Sequence, residues 1–290
     1  MDGISERNEE FQKRVNEFNT EIEMVNDVEI AELSDFEFDE NGFSNEFPLY
    51  AGYTDENGVT HMTYVFREMN TSDEKEIHKP ANKGNGGKVI NTLLSRVVVK
   101  IGDIKKKDVP LEKWESVIKS LYSGDQDMMM LRIREANLGR EIEADHECPE
   151  ESCKAKLKTF FDTSEINIIE YKGEAVFPFS LTKGFLTHKG EKITDGTIRL
   201  PNGYDREVVT PIMINNPGEA NILMLSRTVK FHGYDLKITT DLISRLIIKD
   251  SRILEKILRD NSFGLEFIFD TECTNCGRKI RIGLNQINFI

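Results

Sequence analysis

Apolar and polar positions follow a helical period at the start of the chain. Six apolar residues recur at intervals of seven, four, three, four and three: Ile4, Phe11, Val15, Phe18, Ile22 and Val25. Residues with this spacing share one side of an α-helix, so the pattern predicts an amphipathic helix over 4–25. The rest of segment 1–47 is too poor in apolar residues to form a core. We therefore expect this arm to dock on another protein or on the body of the chain.

Beyond the arm, the pattern changes to short strand-like runs. A turn at Gly58 followed by an alternating run over 61–66 predicts a β-hairpin. A helical pattern begins near Ser72 and resumes over 89–98. The stretch between them, 80–88, is rich in glycine and is predicted to be a surface loop.

Two later helices carry similar end signals. Asp125 is predicted to cap one helix and Asp250 another, because a carboxylate can accept hydrogen bonds from the free N–H groups of a helix start. Gly139 and Gly264 are predicted to end these helices, since glycine adopts the left-handed backbone without steric cost.

These two helices belong to a longer internal similarity. At an offset of 125 residues, 125–139 aligns with 250–264 without gaps, and Cys148 falls on Cys273. The Asn57-Gly58 turn also resembles Asn202-Gly203, which is therefore predicted to be a second hairpin turn. We interpret the similarity as two degenerate copies of one unit.

The predicted fold class is α+β, with a pseudo-two-fold pair of hairpin–helices–Cys-hairpin units and an N-terminal helical arm. The predicted divisions are an acidic arm over 1–47, a first half over 48–157, a bridging β segment over 158–197 and a second half over 198–290.

The four cysteines form two pairs, and each pair is predicted to lie at the tip of a β-hairpin. Two residues separate Cys273 from Cys276, and four separate Cys148 from Cys153. Two turns with two thiolates each can supply the four tetrahedral ligands of a structural zinc ion, so we expect these cysteines to share one zinc. Four reduced cysteines without metal are the alternative. His146 is a weaker candidate ligand, because it is more typical of an ordinary strand residue.

Charge is concentrated in the arm. The formal net charge is −13, and residues 1–47 carry 15 acidic and 3 basic side chains, which leaves 36 acidic and 35 basic for the remainder. A protein that binds nucleic acid needs a basic surface, and this distribution offers none. A zinc-ribbon nucleic-acid-binding protein is still the alternative that the cysteine turns allow.

Other classes of function lack a signal. No stretch is long and apolar enough to predict a membrane span, and the N-terminus lacks the pattern of a signal peptide. We expect a protein of the reducing cytoplasm, where cysteines are more often metal ligands or free thiols than disulfides. No triad, nucleophile or phosphate-binding motif is evident, so we predict no enzymatic activity and no small-molecule substrate.

Taken together, the chain resembles the baseplate hub assembly family of contractile-tailed bacteriophages. The resemblance rests on the helix–glycine–strand–cysteine succession over 250–273, on the Leu-Pro-Asn-Gly sequence at 200–203, and on Cys273-x-x-Cys276-Gly277 near the end of the sequence. It implies a non-enzymatic structural or assembly component of the tail baseplate near its hub. It also implies that the paired cysteines are the metal site. Such a protein would contact other tail proteins, through the arm, in the host cytoplasm during assembly and then in the virion.

Overall fold

The described part of the chain combines α-helices with small antiparallel sheets, in a computed structural model that covers residues 45–81, 83–187, 189–213, 215–234 and 237–283. The helices are Thr71–Ala81 (α1), Gly86–Val97 (α2), Leu111–Ser120 (α3), Ser123–Leu138 (α4), Gly203–Met213 (α5), Pro217–Thr228 (α6), Thr240–Ser244 (α7) and Ile248–Asn261 (α8). The α+β class is thus confirmed. The helix predicted over 4–25 lies outside the described residues.

Thirteen strands are described, in five sheets. They are Phe47–Thr54 (β1), Thr60–Phe66 (β2), Val98–Ile101 (β3), Ile104–Lys105 (β4), Glu141–Glu147 (β5), Lys156–Asp162 (β6), Asn167–Ile169 (β7), Val176–Leu186 (β8), Lys192–Arg199 (β9), Val229–Phe231 (β10), Gly264–Glu266 (β11), Ile268–Glu272 (β12) and Lys279–Gly283 (β13). The sheet orders are β1-β2-β3-β4, β10-β9-β8, β11-β7, β5-β6 and β12-β13, and every pairing is antiparallel.

Two buried clusters form the core of the described residues. The larger surrounds Trp114, which is fully buried and donates its indole N–H to the Ser95 carbonyl oxygen at 3.0 Å. Burying the indole without a partner would be costly, so this bond fixes the packing of α3 on α2. The smaller cluster includes Phe179, Phe231 and Leu254. None of the described helices has the length and apolar character needed to cross a membrane.

The hairpin predicted at Gly58 is confirmed as β1–β2, but the one predicted at Asn202-Gly203 is wrong. Gly203 begins α5, and the Asn202 side chain accepts a hydrogen bond from the Asp205 backbone N–H at 3.2 Å. Asparagine and glycine favour both hairpin turns and helix starts, so the dipeptide alone does not distinguish them. The hairpin that precedes α5 is β8–β9, which lies mostly within segment 158–197.

The surface loop predicted over 80–88 is also largely wrong. Pro80 and Ala81 belong to α1, and α2 begins at Gly86. Gly87 is buried against α5, where an added Cβ would lie 2.6 Å from the Arg206 carbonyl oxygen. The glycine is therefore required by the close approach of two helices.

Asp125 and Asp250 lie inside the first turns of α4 and α8, and the prediction that they cap these helices is wrong. The Asp125 carboxylate accepts hydrogen bonds from three successive backbone N–H groups of β1, on residues 50–52, at 2.6–3.3 Å. The Asp250 carboxylate accepts three from β8, on residues 182–184, at 2.7–3.0 Å. Each aspartate thus fastens a helix to a strand whose pairing register shifts at that point.

The glycines predicted to end these helices have different roles. Gly139 follows α4 with φ 80°, as predicted. Gly264 lies in β11 instead, and α8 ends at Asn261. An added Cβ at Gly264 would lie 2.9 Å from the Gly124 Cα, so this glycine allows β11 to approach α4.

A second contact also occurs twice. Asp73 is fully buried and forms ion pairs with Arg67 at 2.7 Å and with Arg96 at 2.8 Å. Asp205, also fully buried, pairs in the same way with two arginines, Arg199 at 2.6 Å and Arg227 at 2.9 Å. Each aspartate lies on one helix and joins a second helix to the end of a β-hairpin, and its hydrogen bonds with the hairpin arginine are bidentate.

Candidate metal centre

Two β-hairpins bring the cysteines together. Hairpin β5–β6 closes at the Glu147–Lys156 pair, and hairpin β12–β13 closes at Glu272–Lys279, so each turn carries one cysteine pair at its tip as predicted. The hairpins contact each other below the turns, where the Phe161 and Phe269 ring centroids are 4.3 Å apart. This buried aromatic pair positions one turn against the other.

Both turns have the same closing hydrogen bonds. The Cys148 N–H donates to the Ala155 carbonyl oxygen at 2.9 Å, and the Cys273 N–H donates to that of Arg278 at 2.8 Å. These bonds fix the position of the first cysteine of each pair relative to the opposite strand of its hairpin.

The residue after each second cysteine has a left-handed backbone. Lys154 has φ 47° and Gly277 has φ 72°. The Lys154 N–H donates to Glu150, whereas the Gly277 N–H donates to Cys273. In the shorter turn Cys273 both donates the closing hydrogen bond and accepts this second one, whereas in the longer turn Cys148 donates the first and Glu150 accepts the second. The two additional residues of the longer turn thus lie between these two bonds.

The four sulfur atoms form one compact group. The Cys148 and Cys276 Sγ atoms are 3.7 Å apart, as are those of Cys153 and Cys273, and all four lie within 4.8 Å of one another. A disulfide would require about 2.05 Å, so the cysteines are free thiols. Four sulfurs at about 2.3 Å from a tetrahedral ion would be roughly 3.8 Å apart. The sulfur set therefore fits a tetrahedral metal ion.

The pKa values of Cys148, Cys153 and Cys276 are shifted in different directions. The Asn275 side-chain N–H donates to the Cys153 sulfur at 3.2 Å, and this bond is the main cause that lowers the Cys153 pKa to about 7. Burial raises the pKa of Cys148. The Arg278 backbone N–H acts to lower the pKa of Cys276, but burial and the three neighbouring thiols raise it to about 12. Four thiolates this close would repel one another, and a bound cation would remove that cost.

Other residues near the turns have separate roles. Arg278 forms an ion pair with Glu150 and so joins the two turns directly. His146 is half-buried on β5 and is not part of the cysteine group, and its Nδ1 atom lies 3.5 Å from the Ala144 carbonyl oxygen.

The sequence prediction missed Asn275 and the Glu150–Arg278 pair. The position of Asn275 between two cysteines is the one local feature that points to a role in the site, because the Cys153 sulfur to which it donates is 122 residues away in the chain. The ion pair joins residues separated by 128 positions and has no local signature.

Comparison with known proteins gives one match. Residues 53–185 match the protein family described as "T4 bacteriophage base plate protein". The matched segment covers β2 to α4, the first cysteine hairpin and most of β8. A search of curated proteins and a search of solved structures gave no match. The family match confirms the resemblance to baseplate proteins of contractile-tailed phages.

Proposed function

We propose that the chain is a non-enzymatic structural or assembly component of the baseplate hub region of a contractile-tailed, myovirus-type phage, because residues 53–185 match a family of baseplate proteins. The family match is the observation that carries this proposal. A location in the virion tail follows from it, as does binding to neighbouring tail proteins.

The cysteine group is proposed to hold a structural zinc ion. Cys148, Cys153, Cys273 and Cys276 would supply four thiolates, and the 3.7 Å separations of their sulfurs support tetrahedral coordination. Four protein ligands leave no open position for an activated water, so the ion would have no catalytic role. Bound there, zinc supplies a cross-link and neutralises the thiolates.

The cross-link would join distant parts of the chain. One ligand pair lies on β5–β6 and the other on β12–β13, and the Phe161–Phe269 contact already places the hairpins together. Binding of a metal to the folded state alone adds its binding free energy to folding. Zinc would therefore fix the two hairpins as one rigid surface, which suits a component of a large assembly.

We also propose that the described residues contain two degenerate copies of one unit. Two correspondences support this proposal. The hydrogen bonds of Asp125 to β1 correspond to those of Asp250 to β8, and the arginine pairs of Asp73 correspond to those of Asp205. Since the hairpin equivalent to β1–β2 is β8–β9, the second copy would start at Val176, inside segment 158–197, which the sequence predicts to be a bridge.

Gly87 and Gly218 are equivalent positions, because each is the second residue of the helix whose arginine pairs with Asp73 or Asp205, and their environments bear on how the copies are related. Gly87 of α2 packs on the backbone of α5, whereas the nearest atom to an added Cβ on Gly218 of α6 is the Asn216 Oδ1 atom at 3.7 Å. A two-fold relation would give both glycines the same surroundings. The difference favours a head-to-tail relation between the copies over the pseudo-two-fold one.

Elemental mass spectrometry tests the zinc site. Protein purified without added zinc should contain about one zinc ion per chain, and a Cys273→Ser, Cys276→Ser variant should lose both the metal and thermal stability. A Ser251→Ala variant, altered on α8 away from the cysteines, serves as the control. Metal-free wild-type protein that is as stable as the double variant would refute the site.

The baseplate role is tested in infected cells. A tagged chain should co-purify with other tail proteins and sediment with baseplates or their assembly intermediates. Its absence from both would contradict the proposal.

The arm is tested by removing residues 1–45, which should abolish or weaken this co-purification if the arm binds partners. Retention of every partner by the shortened chain would show that another surface carries the binding.

A further inference from the structure

The two proposed copies meet where α2 and α4 of the first pack on α5 of the second. The Asn91 side-chain N–H donates to the Gly203 carbonyl oxygen at 3.0 Å. An added Cβ on Gly87 would lie 2.6 Å from the Arg206 carbonyl oxygen, so helices α2 and α5 approach closely. The Asp127 carboxylate of α4 pairs with the Arg206 guanidinium at 2.9 Å. Close packing, a hydrogen bond and an ion pair thus hold this internal interface together.

The α5 side of the internal interface has an equivalent on α1. Asp73 and Asp205, which form the matching arginine pairs, lie 132 positions apart in the chain. At the same offset, Glu74 corresponds to Arg206. The Arg206 side chain is 10% exposed in the interface, whereas that of Glu74 is 66% exposed. We call Glu74 and the cavity beside it the α1 surface.

Two cavities follow the same correspondence. The larger, of about 710 Å³, lies at the internal interface, and the α5 side contributes Pro201, Arg206, Val209, Thr210 and Met213 to its lining. The residues 132 positions earlier line a cavity of about 560 Å³ on the α1 surface: Met69, Glu74, Ile77, His78 and Ala81. From the other copy, Ser123 and Asp127 of α4 line the larger cavity. The α1 surface thus reproduces one side of the internal interface, including its cavity.

The other side of the internal interface has its equivalent on α6 and α8. The offset of 125 residues between α4 and α8 gives Ile248 the position of Ser123, and gives Arg252 the position of Asp127. Gly218 of α6 has the position of a buried glycine of α2. Gly218 and Arg252 are exposed, and Ile248, at 78%, is the most exposed of the described large apolar residues. We call Gly218, Ile248 and Arg252 the α8 surface.

The charges of the two surfaces are reversed together. Where the internal interface pairs Asp127 of α4 with Arg206 of α5, the α8 surface carries Arg252 and the α1 surface carries Glu74. In the described part of the chain, each of these two side chains has its ion-pair partner on its own helix. Because both signs are exchanged, an α8 surface and an α1 surface still attract each other.

We propose that the α8 surface of one chain binds the α1 surface of a second copy, in the way that the two halves of the chain bind each other. Ile248 enters the cavity of the α1 surface, and Arg252 pairs with Glu74. Gly218 lets α6 approach α1 without a Cβ between the two helices. This self-association rests on the proposed head-to-tail repeat, and it is independent of the zinc site and of the baseplate role.

The contact uses two different surfaces, so each added chain leaves one α1 surface and one α8 surface open at the ends. Heterologous contacts of this kind continue until a ring closes or another protein covers an end. The partner is thus a second copy of this chain, and the assembly is not limited to two copies.

Sedimentation velocity of the full chain at increasing concentration tests the proposal. Wild-type protein should form dimers and larger species. Arg252→Glu and Glu74→Arg should each raise the dissociation constant by about tenfold or more, because like charges then meet at the contact. Mixed in equal amounts, the two variants should associate as the wild type does, since each presents the charge that the other lacks. Lys192→Glu, an exposed change on β9 outside both surfaces, is the control and should leave association unchanged.

An Ile248→Asp variant gives an independent measure of the contact. It should weaken association by about tenfold or more, because a carboxylate replaces the apolar side chain that enters the cavity. Since Ile248 is exposed in the single chain, the substitution should leave the fold intact.

Three results would overturn the proposal. A wild-type chain that stays monomeric at every concentration makes no such contact. Association that the Arg252, Glu74 and Ile248 variants leave unchanged would place the contact on another surface, such as the arm. A mixture that associates no better than either charge variant alone would show that Arg252 and Glu74 do not face each other. Zinc content and co-purification with tail proteins do not depend on these results, and the unfolding of Gly87→Ala tests the internal interface separately.

Discussion

The Asp125 and Asp250 carboxylates make the same three backbone hydrogen bonds, yet their pKa values are shifted in opposite directions. Burial raises the pKa of Asp125 to about 6, although three N–H groups of β1 act to lower it. Burial acts on Asp250 too, but there the N–H groups of Gly184, Lys183 and Thr182 outweigh it and lower the pKa. One structural device therefore has two different dependences on pH.

We predict that Asp125 makes the protein less stable as the pH rises from 3.8 to about 6. Its carboxyl group binds a proton more tightly in the folded than in the unfolded state, so its contribution is full below 3.8 and is lost as the pH rises through the folded pKa. The measurement is denaturant unfolding of wild type and Asp125→Asn across this range. The difference between the two free energies of unfolding at each pH is the contribution of Asp125, because the thiols and other titrating groups are present in both proteins.

Asp250 should show the opposite dependence, with a contribution that is present above pH 3.8 and lost as the pH falls through its lowered pKa. The matched variant is Asp250→Asn. Carboxyl chemical shifts measured by NMR would report both pKa values directly. Unfolding curves that stay parallel to the wild type across the range, for either variant, would contradict the assignment.

The two equivalent glycines of α2 and α6 should respond differently to the same substitution. Gly87→Ala places a Cβ against the Arg206 backbone and should lower the free energy of unfolding by about 1–3 kcal/mol. Gly218→Ala places its Cβ at an ordinary contact distance of 3.7 Å from the Asn216 Oδ1 atom and should raise it by about 0.5 kcal/mol through helix propensity. Equilibrium unfolding of both variants tests the pair. Equal effects would show that the packing of α2 on α5 does not require glycine.

The residues that follow the second cysteine of each turn allow a reciprocal exchange. Gly277→Ala should lower stability by about 1–2 kcal/mol, because its φ of 72° is unfavourable for a residue with a Cβ. No neighbouring atom lies within 4 Å of that Cβ, so the effect is conformational. Lys154→Gly relieves the same strain at φ 47° and should raise stability by about 0.5–1 kcal/mol. The measurement is the midpoint of thermal unfolding in the presence of zinc. Midpoints that shift in the same direction for both variants would refute a shared left-handed backbone at the two positions.

Asn275 should tune the affinity of the cysteine group for metal without being a ligand. Asn275→Ala removes the N–H that donates to the Cys153 sulfur, and should weaken zinc binding by about 10–100-fold while leaving one ion per chain. Competition with a chromophoric chelator measures the affinity. Thr274→Ala, at the neighbouring exposed position, is the control and should bind as the wild type does. Equal affinities for the two variants would remove the role given to Asn275.

Local patterns predicted the parts of the fold that are held by local contacts. The strand period on each side of Cys148 and Cys273 led to the two hairpins, and the four cysteines were identified as one group because their spacing is typical of metal ligands. The predicted hairpin at Gly58 depended on a turn that is bonded within itself, with Asp55 accepting from Val59.

The errors share a physical origin in contacts between distant residues. Asp125 looks like a helix cap, but its partners lie more than 70 residues earlier in the chain. Gly87 looks like a loop residue because the α5 backbone that it contacts is about 120 residues away in sequence. The sequence around Asp125 or Gly87 does not indicate these distant partners, so only the tertiary structure identifies the roles of the two residues.

The separation of the cysteine pairs has a consequence for biosynthesis. Cys148 and Cys153 leave the ribosome well before Cys273 and Cys276, by a stretch of chain that takes on the order of ten seconds to translate. During that interval the nascent chain carries two thiols with no partner turn, so they are open to oxidation or to capture of a metal by other ligands. The order of synthesis thus makes the earlier pair the more vulnerable one, and the later hairpin the step that completes the sulfur set.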